Sequence, residues 1–327
     1  MTGAGDDGAR VAREYAAARE GAAVVALPAR GLLAVTGPQR VKFLHNLVSN
    51  DLASRKPGQG VRAALMDVKG RLLALLRALV TEDAVLLELP SDRLEAIEAL
   101  LVHYRVAAPV RFARLPAAVI AVIGPAARDV FARAGALLPT DMAPEDHVTA
   151  SLGAAAVRLA RAGDLPASGW VVHVAPDDAP ATRDALSAAG ATAIGEDVLD
   201  VLRVEDGRPW YGSDIREDNL LHETGLVAEY HSPAKGCYVG QEVVARLEAR
   251  GANVNKVLRG LRLQDPAARG AVLRADGKDV GVVTTAGVSP TFGPVAMAFV
   301  QRSRAEPGAQ VDVDGKPATV STLPFAR

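Results

Sequence analysis

The sequence predicts an α+β protein of packed units, and three observations predict it. At 327 residues the chain holds about two or three domains with cores of their own, at roughly 100–200 residues each. Between Ala117 and Gly190 the pattern runs strand, helix, strand, strand, helix, which is the order of a split βαβ or ferredoxin-like unit. Beyond Val257 helical spacing disappears. Short alternating runs such as Val311-Asp312-Val313 are parted there by Asp276-Gly277 and Asp314-Gly315, turn dipeptides of a small antiparallel barrel.

Along the chain, Met1–Gly8 is small and acidic without a pattern, which predicts a disordered leader before a first helix ending near residue 20. Ala22–Leu27 and Gly31–Val35 read as short strands. Gly37-Pro38 then opens a helix with Val41, Leu44, Leu47 and Val48 on one face. Val61–Met66, Arg71–Val80 and Ala84–Leu89 form a predicted antiparallel meander broken at Lys69-Gly70 and Glu82-Asp83. Ser91 stands at the cap of a helix carrying Leu94, Ile97, Leu101 and Tyr104, and Pro109 stops it.

In the middle unit the strands are Ala118–Ile123, Ala155–Leu159 and Trp170–Val174. Pro125 opens one helix (Ala127, Val130, Phe131, Ala134) and Gly190 ends the other (Ala181–Ala189). A further helix follows Gly195 to about Val204, and Gln241–Arg250 forms another. The expected domains are 1–20 as leader and first helix, 21–115 plus 191–255 as the N-terminal domain, 116–190 as the ferredoxin-like unit and 256–327 as the barrel.

Composition excludes several classes. Apolar residues make up 49% and charged residues 23%, too apolar for a disordered chain and too interrupted for a membrane one. The stretch Leu72–Leu89 is cut by Arg77, Glu82 and Asp83, and Ala117–Ala127 is too short, so no bilayer-spanning helix is expected. Asp6 and Asp7 stand where a targeting peptide is basic, which points to the cytoplasm. With 37 basic against 38 acidic side chains the formal charge is −1, which offers no broad field for nucleic acid. Cys237 is the single cysteine, which rules out intrachain disulfides and Cys-rich metal sites. The six histidines form no HxH or HxxxH pair, so no metal site is expected.

No P-loop, HExxH or GxSxG motif occurs. The densest run of unusual residues is Lys235-Gly236-Cys237-Tyr238-Val239-Gly240-Gln241-Glu242, a glycine-bracketed loop entering a helix. Helix N-terminal amides and the Lys235 ammonium favour thiolate, so Cys237 is a candidate reactive thiol; the alternative is a buried cysteine that packs. A second cluster is Arg203-Val204-Glu205-Asp206-Gly207-Arg208-Pro209-Trp210-Tyr211-Gly212. A carboxylate beside aromatic rings suits a flat heterocycle with adjacent N–H donors, and arginines suit an anionic tail; the alternative is a surface Arg–Glu pair beside a turn. Asp67-Val68-Lys69-Gly70 is by itself a hairpin turn.

Taken together, Phe43-Leu44-His45-Asn46 within Gly37–Asp51, Lys69-Gly70-Arg71, Arg203-x-Glu205-x-Gly207 with Tyr211-Gly212, the octet Lys235–Glu242 and Ala245-Arg246 resemble the folate-binding YgfZ family. That family is related to the glycine cleavage T protein, an aminomethyltransferase. The octet is its specific motif, and the resemblance spans about residues 20–327, with the middle unit matching in pattern more than in letters.

The resemblance implies a GcvT-like three-domain ring around a central cavity that holds tetrahydrofolate or a derivative. It also implies support of iron–sulfur cluster assembly or repair, with iron–sulfur enzymes or assembly proteins as clients. On this reading Glu205 accepts the pterin N–H donors, Arg203 and Arg246 hold the glutamyl tail, and Tyr211 lies at the folate. Cys237 and Lys235 are the working pair facing the same cavity. T proteins carry an acidic residue shortly after the second motif, where this chain has Leu72-Leu73-Ala74-Leu75-Leu76, and usually Asp where it has Cys237. The expectation is therefore an iron–sulfur role without classical turnover. The alternatives are a tetrahydrofolate-dependent aminomethyltransferase or demethylase, and a non-catalytic scaffold for iron–sulfur enzymes.

Overall fold

The computed structural model describes residues 3–326. A helix, α1, spans Gly3–Glu20, so the expected disordered leader is helical from Gly3 onward; Met1 and Thr2 lie outside the described residues. The reason lies in side-chain pairing that composition does not show. Arg10 reaches Asp7 and Asp197, and Glu14 accepts the Gly195 N–H at 2.8 Å, tying the helix to a distant segment.

The N-terminal sheet contains β2 (Arg30–Thr36), β3 (Gly60–Met66), β4 (Leu72–Val80), β5 (Ala84–Pro90) and β6 (Arg111–Leu115), in the order β3-β4-β5-β2-β6. All its pairings are antiparallel, so period-2 alternation sends neighbouring side chains to opposite faces. Ala74, Ala78, Val80, Val85 and Leu87 pack on one face with residues of α2 (Arg40–His45) and α3 (Leu94–Arg105). Leu79, Ala84 and Leu86 join the cluster shared with the middle unit.

The middle sheet holds β7 (Ala118–Ile123), β8 (His147–Leu152), β9 (Ala155–Arg161), β10 (Trp170–Val174) and β11 (Thr192–Ala193), with helices α4 (Ala127–Arg133) and α5 (Ala179–Ala188). It also holds β1 (Ala23–Ala26), expected with the N-terminal strands. The order is β11-β1-β7-β10-β9-β8. β1 pairs antiparallel with β7 and occupies the fourth position of the ferredoxin-like order, with β11 parallel outside it. Its burial explains the placement: Ala23 and Val25 enter one core cluster and Val24 the other, as an interior strand requires.

After α6 (Glu196–Glu205), the short α7 (Val227–Tyr230) and α8 (Gln241–Ala249), a closed antiparallel barrel forms. Its strands are β12 (Lys256–Leu263), β13 (Val272–Ala275), β14 (Lys278–Ser289), β15 (Gly293–Gln301), β16 (Gln310–Val313) and β17 (Lys316–Ser321). Both Asp-Gly turns have positive φ at each central residue (51° and 73°; 53° and 80°), the type I′ geometry expected of that dipeptide. The barrel docks tightly on α6, since a Cβ at Gly287 would lie 2.6 Å from Val201 Cγ2. No helix among the described residues is long and apolar enough to cross a membrane.

Candidate functional site

A cavity of about 230 Å³ opens where the N-terminal sheet, the β1–β2 turn, the middle unit and α6 converge. Its floor is ionic. Arg77, on β4, pairs with Glu88 at 2.6 Å and with Glu145 and Asp164 from the middle unit. Arg30 bridges Glu88 and Asp164, each at 2.7 Å, and Arg62 lies 2.9 Å from Glu145. His173 Nε2 lies 2.6 Å from Glu88 Oε2. Three guanidiniums therefore meet three carboxylates across the seam between two units, and the floor is close to electrically neutral.

Burial alone would raise the Glu88 carboxyl, but Arg77, the His173 hydrogen bond and Arg30 outweigh it and hold it well below the usual carboxylate range. Burial is likewise the largest influence on Asp164, and Arg30 and Arg77 together overcome it and lower that carboxyl. Both acids stay ionised and committed to their arginines. Neither serves as a proton donor near neutral pH.

The walls are aromatic and aliphatic. Trp210 is held between two guanidiniums, Arg30 at 4.5 Å and Arg203 at 4.3 Å from the ring centroid, and donates Nε1–H to the Asp164 carbonyl at 3.2 Å. Tyr211 donates its hydroxyl to Leu72 O at 3.1 Å, and burial pushes its phenol up to about 12. β4 contributes Leu75 and Leu76, and the mouth is edged by Glu196, Asp200, Ser213 and Arg269. Among the described residues no three His, Cys, Asp or Glu side chains are grouped as around a metal ion.

The 235–242 loop lies elsewhere, and none of its residues lines the cavity. Lys235 donates to His45 O and to Val48 O (2.5 Å), closing the carboxyl end of α2, and its Nζ sits 4.8 Å from the Tyr238 ring. Burial pushes its ammonium down to about 8. Gly240 has φ 85°, and a Cβ there would lie 2.6 Å from Asp67 O, so the loop packs directly on the β3–β4 turn. Asp67 is occupied in that turn, accepting the Lys69 and Arg71 N–H groups at 2.8 Å. The Cys237 side chain is exposed.

The pattern of the GCVT N-terminal domain matches residues 6–229, and that of the glycine cleavage T-protein C-terminal barrel domain matches residues 256–326. The chain belongs to the glycine cleavage T-protein family. An aminomethyltransferase of Saccharopolyspora erythraea is 35% identical over 225 residues, covering 64% of this chain and 60% of its own length. One of a Nostoc species is 29% identical over 346 residues, covering 97% and 88%. The crystal structure of the glycine cleavage system aminomethyltransferase T from Bartonella henselae superposes with a TM-score of 0.85 at 26% identity, covering 97% of this chain and 89% of that one.

Within this T-protein frame the residues singled out from the sequence fall in three places. Of the six candidate site residues Tyr211 alone lines the cavity, beside its neighbours Pro209 and Trp210. Arg203 is fully buried against Asp214 at 2.7 Å, outside the lining, and stands behind Trp210. Glu205 is also buried away from the lining, because one oxygen receives Arg19 (2.5 Å) and Tyr15 (2.9 Å) and the other receives Ser289 (2.5 Å). Arg246 is exposed on α8, outside the lining. Cys237 and Lys235 share the separate loop and do not face the cavity. The exposed thiol also removes the packing alternative. Sequence reasoning missed Arg30, Arg77, Glu88 and Asp164, which lie on unremarkable strands and loops. The available signal was a charge interrupting an apolar strand, as Arg77 and Glu88 do.

Proposed function

We propose that this protein binds a reduced folate in the central cavity and takes part in the one-carbon chemistry that folate carries. Tetrahydrofolate is the cofactor of the T-protein family, and the cavity fits its ring. The observation that carries the reading is the neutral floor. Ionic groups that satisfy one another leave room for an uncharged heterocycle with polar edges, whereas a charged ligand would have to break a buried pair. At about 230 Å³ the space is smaller than the usual 300–1,000 Å³ of small-molecule sites, so it takes the ring while the tail leaves by the mouth.

There Arg269, which is exposed and donates to Ser213 O and Thr285 Oγ1, is the guanidinium placed to meet a glutamyl carboxylate. Leu75, Leu76 and Tyr211 offer the ring an apolar wall, and the protein's part is to bind, orient and exclude water.

Aminomethyl transfer is the activity that the relatives' names support, more than the iron–sulfur role. One observation favours that second reading: β4 presents leucines to the cavity, while Asp67 holds its turn through Oδ1 and does not line the cavity, so no carboxylate from this hairpin stands in the lining. A general acid or base usually contributes 10²–10⁴-fold in rate. The deciding test is transfer from an aminomethyl-loaded lipoyl carrier protein to tetrahydrofolate by the purified full chain. Turnover at the level of an authentic T protein supports the transferase. Folate binding without turnover supports the iron–sulfur role, and Cys237→Ser should then fold normally yet leave iron–sulfur enzyme activity low in a deletion strain.

A further inference from the structure

Tyr230 is the last residue of α7, and Ser49 Oγ pins that turn by donating to Tyr230 O at 2.5 Å while accepting the Ala64 N–H of β3 at 2.8 Å. The side chain is directed inward: the residue is 5% exposed and its ring lines the cavity. Arg62 lies over that ring at 5.3 Å. Yet its hydroxyl makes no hydrogen bond with any described residue, although Asp164, Arg62, Glu145 and Arg77 surround it. Those neighbours are committed to one another. The hydroxyl opens onto the cavity with no protein partner, so it is free to bond a polar atom of whatever the cavity holds.

We infer that the Tyr230 hydroxyl is the cavity's ligand-reading donor, giving its hydrogen bond to an acceptor atom, a carbonyl oxygen or lone-pair nitrogen, on the polar edge of the bound heterocycle. Burial raises its phenol above the ordinary value, with Asp164 and Glu145 adding to the effect, so it holds its proton throughout the physiological range. The carboxylates on the floor are ionised and only accept, and the guanidinium protons are shared with them. Tyr230 is therefore the uncharged donor available at the floor. The inference rests on the folate reading for the identity of the ring.

The test titrates tetrahydrofolate into the full chain and into Tyr230→Phe by calorimetry, with thermal unfolding of both unliganded proteins. The proposal expects the phenylalanine variant to bind roughly three- to tenfold more weakly, the worth of one neutral hydrogen bond. It also expects an unliganded melting temperature no lower than that of the parent, because the lost hydroxyl had no protein partner. Equal affinity in the two proteins overturns the role of Tyr230. A lower melting temperature with affinity unchanged assigns the residue to packing instead. Failure of the parent itself to bind tetrahydrofolate overturns the folate reading and this proposal with it.

Discussion

Glu205 accepts hydrogen bonds from Arg19, Tyr15 and Ser289, side chains that come from α1 and the barrel. Its work is to hold two distant parts of the chain against the end of α6. Glu205→Gln should therefore cost about 1.5–3 kcal/mol in urea unfolding, the worth of hydrogen bonds to a charged group, with folate affinity kept within about twofold. A variant with unchanged stability and a large loss of affinity would return Glu205 to the ligand. At this scale the sequence told which residues are unusual more readily than what they touch. Arg203-x-Glu205 stood out by its letters, but both charges are consumed by partners many residues away. Cys237 was legible as a loop thiol, while its distance from the cavity was not, since that follows from the packing of Gly240 on the β3–β4 turn.

Among elements, β8 and β6 escaped the sequence reading for opposite faults of one signal. β6 shows almost no apolar face, with a burial pattern that is largely exposed, and β8 alternates weakly with Thr149 and Ser151. What fixes β8 is His147, whose Nε2–H donates to Val80 O at 2.9 Å while Arg158 donates to Nδ1 at 2.8 Å, linking the middle sheet to β4. Burial and the Arg158 charge lower this histidine to about 4. Below its ordinary value of 6.5 the unfolded chain takes up a proton that the folded chain refuses. The contribution of His147 is thus complete above pH 6.5 and is lost as pH falls toward 4. Urea midpoints measured from pH 7 to pH 5 should fall in the parent and fall less steeply in His147→Gln. Parallel curves would show that His147 does not titrate in this way. The depressed Glu88 carboxyl contributes to a separate, more acidic limb, because its share is lost only below the ordinary carboxylate range.

For the whole molecule, the barrel turns and the strand–helix run of the middle unit were legible because turn dipeptides and element order determine them locally, whereas β1 joins the middle sheet from far upstream. The lining of the cavity was not, because it exists only where three parts of the chain meet. Arg77 is the centre of that meeting, joining Glu88 of β5 to Glu145 and Asp164 of the middle unit. Arg77→Met leaves those carboxylates short of a partner inside the protein and should cost about 3–5 kcal/mol in urea unfolding. A loss under about 1 kcal/mol would mean that Arg30 and Arg62 carry the seam without it. A crystal structure of the full chain with tetrahydrofolate decides whether this cavity is the folate site. The prediction is a ring between Leu75 and Tyr211 with its polar edge on the Tyr230 and Asp164 floor and its tail passing Arg269. A ring seated instead against Glu205, with Arg19 and Tyr15 displaced, would contradict it.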